Sequence, residues 1–125
     1  MANVQYYDVI LKPVITETQN QIIVTTADEF LAAIAPNTEI IVDTELIDLS
    51  TATGYGKTNG DYYHWEDTHD GPELFIAEVS NLTIRGNGED HNANVISSVP
   101  RYSNVLNFFN CSNIMVKGLT VGHTE

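Results

Sequence analysis

The chain has 125 residues, 42% of them hydrophobic, with six Tyr, four Phe and one Trp, enough to build the core of one domain. Seventeen acidic against five basic residues give a formal charge of −12. That balance speaks against nucleic acid, whose phosphates are neutralised by Lys and Arg, and against anionic membranes. The single Cys111 excludes an internal disulfide, and no apolar run approaches the roughly 18 residues of a membrane span.

Residues 1–24 read as a partly ordered lead-in. Short strands are expected at Gln5–Leu11 and Gln21–Val24, separated by Pro13 and a polar Thr-Glu-Thr-Gln-Asn stretch. No basic N-terminal region precedes an apolar stretch, so the sequence reads as lacking a signal peptide. Thr25–Ala35 is the one good helix. Thr26 and Glu29 have capping-box spacing, and Asp28 favours the positive end of the helix dipole. Phe30, Leu31 and Ile34 share one face, and Pro36-Asn37 stops the helix.

Thr38–Ser50 alternates, with Ile40/Val42 and Ile47/Leu49 directed inward and Asp43, Glu45 and Asp48 outward. Thr51–Pro72 interrupts this pattern and reads as an excursion, not as a strand pair. Strands resume over Leu74–Val79, Leu82–Ile84 and Asn94–Ser97, and again over Asn104–Phe109, Ile114–Val116 and Leu119–Val121.

The last two groups are a repeat. Residues 74–86 and 106–118 superpose at an offset of 32, pairing Leu74/Leu106, Ile76/Phe108, Val79/Cys111, Leu82/Ile114 and Ile84/Val116. Ser80-Asn81 and Ser112-Asn113, the basic Arg85 and Lys117, and Gly86 and Gly118 also coincide. Such a unit cannot bury its own apolar face and must stack on its neighbour.

These repeats, with Ala27–Pro36 and Tyr62–Ile76, resemble the N-terminal end of bacterial right-handed β-helix repeat proteins, of the pectate lyase-like superfamily. The resemblance implies an all-β fold: a short right-handed parallel β-helix of about three coils over residues 25–125, with an N-terminal capping α-helix. It implies that Asn81 and Asn113 stack at one corner, and that the helix covers the first coil. The pattern stops mid-repeat at Glu125, which reads as a truncated C-terminal end. It further implies an extracellular or cell-surface, carbohydrate-associated bacterial protein. This piece would be a non-catalytic structural and binding module. The rival is part of a polysaccharide lyase or glycoside hydrolase whose main site lies in later coils.

The aromatic-acidic stretch Asp61–Asp70 is the best candidate for binding. Tyr62, Tyr63 and Trp65 offer faces for sugar rings, and Glu66, Asp67 and Asp70 offer carboxylates for hydroxyls or, more weakly, for Ca²⁺. The bland alternative is that the rings pin the loop and the acids are solvated. No catalytic residue or metal ligand set is assigned: His64 and His69 lack further zinc ligands at suitable spacing. Gly86-Asn87-Gly88 lacks the following helix of a phosphate loop and reads as a turn. Cys111 sits in an apolar column and reads as a packed thiol.

The C-terminal repeat leaves apolar side chains and strand edges without a following cover. Self-association there, as a two-fold dimer with Phe108, Ile114, Val116 and Leu119 at or beneath the contact, is the expectation.

Overall fold

The computed structural model describes residues 18–88, 90, 93–99 and 104–122. The expected strand at Gln5–Leu11 lies outside them. Within the described part of the lead-in, Asn20–Val24 forms β1, pairing in parallel with β2 (Thr38–Val42) from Asn20↔Thr38 to Val24↔Val42.

Helix α1, Ala27–Ala33, connects these two strands. Thr26 caps it, its hydroxyl oxygen accepting from Glu29 N at 3.1 Å. The return half of the box is displaced by one residue: Glu29 Oε1 accepts from Thr25 N at 2.8 Å and Thr25 Oγ1 at 3.1 Å. Phe30, Leu31 and Ile34 are buried, as the helical spacing requires. Asp28 does more than face the dipole. Its carboxylate accepts from Thr53 N and Thr53 Oγ1 at 2.8 and 2.9 Å and ties the 51–62 segment to the helix.

The remaining strands are β3 (Leu46–Asp48), β4 (Tyr63–Thr68), β5 (Gly71–Ala77), β6 (Ser80–Gly86), β7 (Val95–Ser97), β8 (Leu106–Phe109), β9 (Ser112–Lys117) and β10 (Thr120–Val121). They form three sheets, ordered β1-β2-β6-β9, β3-β7-β10 and β4-β5-β8. Ile40, Val42, Leu82 and Ile84 from the first, Ile47 and Ile96 from the second, and Leu74 and Ile76 from the third join Phe30 in one buried cluster.

This corrects the expected architecture. The chain is not an all-β, single right-handed parallel β-helix with a cap. It is a mixed structure, with 10% of the described residues helical and 49% in strands spread over three sheets. The third sheet is itself mixed: β4 runs antiparallel to β5, while β5 and β8 are parallel. The cause lies in the supposed excursion. Tyr63 and Trp65 alternate with the polar His64 and Glu66, and the chain turns back at Gly71, whose φ of 134° suits glycine. Eight of the 22 residues of Thr51–Pro72 are therefore strand.

The 32-residue correspondence is met residue by residue. Leu74 pairs with Leu106, Leu82 with Ile114, Ile84 with Val116 and Arg85 with Lys117. The asparagines stack as expected: Asn113 Nδ2 donates to Asn81 Oδ1 at 2.9 Å. The chain of amides extends one step further, from Asn81 Nδ2 to Asn37 Oδ1 at 2.9 Å. All three are left-handed, at φ 54°, 60° and 56° for Asn113, Asn81 and Asn37. Asparagine tolerates that backbone better than most side chains, so one residue type serves both the bend and the hydrogen bond. Glu78 and Asn110 form a second left-handed pair, Asn110 Nδ2 donating to Glu78 Oε2 at 2.9 Å. Among the described residues no helix is long and apolar enough to cross a membrane.

Candidate functional site

The β4–β5 hairpin divides the six sequence candidates. Register places Tyr63 opposite Ile76 and Trp65 opposite Leu74. Ile76 and Leu74 are buried, so both rings turn toward the core, and Tyr62, Tyr63 and Trp65 all pack against it. Trp65 Nε1 donates to the Thr58 carbonyl at 2.9 Å, and Trp65 N donates to Asn59 Oδ1 at 3.2 Å. Tyr55 meets the indole edge-on at 5.2 Å between ring centres, and Tyr63 does so at 6.5 Å. The indole thus anchors the 51–62 segment, and its ring is not a free stacking platform.

Glu66 belongs to the opposite face. Its Oε2 lies 2.8 Å from His64 Nε2, and it pairs across the hairpin with Glu73. The His64 ring stacks on Phe75 at 5.4 Å and 11°. Asp67 faces Pro72, and Asp70 lies in the connecting turn, its N–H donating to Thr68 Oγ1 at 3.2 Å. Glu66 thus lies on the face away from the Tyr63 and Trp65 rings, and Asp70 lies in the turn. Among the described residues no three His, Cys, Asp or Glu side chains are grouped to hold a metal ion.

Tyr62 and Tyr63 do meet at a cleft of about 340 Å³, where Gly60 and Asp61 face Leu31, Ala32, Ile34 and Ala35 of the helix end. One wall is apolar, and the other carries two phenols and a carboxylate. Burial, and secondarily the negative charge of Asp28, raises the Tyr63 phenol above its ordinary value of 10.0. It therefore stays a neutral donor and acceptor throughout the physiological range. The helix wall was not visible from sequence, because nothing local links residues 31–35 to residues 60–63.

A second cleft, about 280 Å³, is lined by Arg85, Gly86, Gly88, Lys117 and Gly118. Arg85 and Lys117 are adjacent as the repeat requires, but Arg85 is not simply solvated. Its Nε donates to Glu39 Oε2 and its Nη1 to the Gly86 carbonyl. Gln21, then Arg85, holds the Glu39 carboxyl below its ordinary value of 4.5. Gly86 is obligatory here, since a Cβ would run into the Gly118 carbonyl oxygen. Cys111 packs beside the core with Sγ 3.4 Å from the Ile76 carbonyl oxygen, as a packed thiol should.

No protein-family model, no curated protein and no solved structure matches this chain.

Proposed function

We propose that this chain is a non-catalytic structural and binding module that takes a neutral carbohydrate in the cleft between α1 and the start of β4. The observation that carries this reading is the composition of that cleft: Tyr62, Tyr63 and Asp61 opposite the apolar Leu31, Ile34 and Ala35. A sugar presents apolar C–H faces and hydroxyl edges together, which suits one ring-bearing wall with a carboxylate acceptor beside it. Two other candidate side chains are engaged in holding the fold, Arg85 by Glu39 and Gly86, and Trp65 by Thr58. The extracellular, bacterial setting rests on the sequence resemblance alone.

The test is a titration of ¹⁵N-labelled protein with neutral hexose oligomers, cellohexaose and maltohexaose. Amide shifts should cluster at residues 31–35 and 60–63, and Tyr62→Ala should abolish them while leaving the rest of the spectrum intact. Shifts centred on the hairpin tip at Asp67–Asp70, or none with either oligomer, would contradict the proposed site.

A further inference from the structure

We propose that Asn87 is a site of spontaneous self-modification, its side-chain amide converting to a carboxylate through attack by the backbone nitrogen of Gly88. The sequence holds two Asn-Gly pairs, Asn59-Gly60 and Asn87-Gly88. Glycine hinders such an attack least, because no Cβ stands beside the nitrogen. Both pairs are exposed to the water that the reaction consumes. Their hydrogen bonds set them apart.

At the first pair the nucleophile is occupied. Gly60 N donates to the Tyr63 carbonyl at 3.0 Å, and Asn59 Oδ1 accepts from Trp65 N at 3.2 Å. The start of β4 thus fixes both reacting groups. Attack on the side-chain carbon would first cost a backbone hydrogen bond.

At the second pair, just past the end of β6, Gly88 N has no hydrogen-bond acceptor among the described residues. A Cβ placed on Gly88 would meet nothing within 4 Å, so the backbone has room there. Asn87 itself is held. Its Nδ2 donates to Asp43 Oδ1, and its backbone N donates to Asn94 Oδ1 at 3.3 Å. The electrophile is restrained and the nucleophile on the next residue is free, and groups joined in one chain react at high effective concentration.

The Gly88 nitrogen, its proton lost to solvent base, gives its electron pair to Asn87 Cγ and forms a C–N bond. The Cγ–Nδ2 bond breaks, and Nδ2 takes up a proton and leaves as ammonia. Water then opens the cyclic imide. Cleavage at Cγ leaves aspartate at position 87, and cleavage at the main-chain carbonyl leaves isoaspartate. The net exchange is water in and ammonia out, with nothing oxidised or reduced.

The product reverses a contact. A donor to Asp43 becomes a second carboxylate facing it, so a hydrogen bond gives way to like-charge repulsion. The new charge also falls between Gly86 and Gly88, which line the cleft shared with Arg85 and Lys117.

Peptide mapping by mass spectrometry, after incubation of the 1–125 chain in mildly alkaline buffer, tests this. In the folded protein, conversion with isoaspartate should concentrate at Asn87, at roughly tenfold or more the rate of Asn59. In urea the two pairs should convert at similar rates, since the Gly60–Tyr63 bond is gone. Gly88→Ala has room for its methyl group, yet should slow conversion at Asn87 roughly tenfold or more. Should that variant fail to fold, the comparison of folded and urea-treated parent decides alone. Asn59 converting as fast as Asn87 in the folded chain, no conversion at Asn87 there, an Asn87 preference that persists unchanged in urea, or a folded Gly88→Ala variant converting at the parent rate would each overturn the proposal.

Discussion

Strands β5–β7 and β8–β10 carry closely similar sequence patterns and end in different physical states. The first set lies between strands on both sides, and its Leu74, Ile76, Leu82, Ile84 and Ile96 are fully or almost fully buried. The second is covered on one side, and Phe108, Val116 and Val121 are partly open. An apolar column in a repeat therefore specifies where a side chain points. How much that side chain stabilises is decided by whether a neighbour arrives on the far side. The transfer term scales with area removed from water, so equivalent residues need not have equivalent energies.

The sharpest way to break this comparison is to truncate one column at two heights. Ile84→Ala should cost about 2–5 kcal/mol, the usual range for a cavity in a closed core. Val116→Ala should cost less than about 1 kcal/mol in dilute solution, since its site is already open. Urea midpoints at low protein concentration measure both. Equal losses would mean that the two strand sets are covered alike.

The asparagine chain offers a second contrast. Asn81 donates to Asn37 and accepts from Asn113 and Gln19, whereas Asn113 has one such partner among the described residues. Asn81→Leu should cost about 2–4 kcal/mol, combining lost hydrogen bonds with a branched side chain at positive φ. Asn113→Leu should cost about 1–2 kcal/mol, because its outer side is exposed to water. Asn81→Gly removes the backbone strain and should recover part of the loss. If it recovers nothing, the strain component is wrong.

The smallest effect lies on the outward face of the first sheet. Glu39, bound by Gln21 and Arg85, has its carboxyl held below 4.5. A lowered folded value contributes stability above the unfolded value and loses it as pH falls through the folded one. Glu39→Gln should therefore cost up to about 1 kcal/mol at neutral pH. Its stability should converge with the parent's as pH drops below about 4. A gap that stays constant down to pH 3 would assign the loss to packing, not to charge.

Much of this was readable in the residues. Helix periodicity placed Phe30, Leu31 and Ile34, and the repeat placed each β5/β8 and β6/β9 partner, since these depend on local spacing and on an offset that register preserves. The sheet architecture was read wrongly because Asp61–Asp70 is dense in acids, and that density hid the alternation of Tyr63, Trp65 and Asp67 with His64, Glu66 and Thr68. The same error scattered the candidate site: once β4 is a strand, Trp65 and Glu66 must point to opposite faces. Asn37 as the foot of the amide chain, Asp28 as an anchor for Thr53, and the helix wall of the Tyr62 cleft are contacts between distant segments. Spacing carries no trace of such contacts.

Position in the sheet, not sequence pattern, sets protection, and hydrogen exchange reads it directly. The amides of Leu82–Gly86 should exchange far more slowly than those of Ile114–Lys117. Equal protection of β6 and β9 would contradict it.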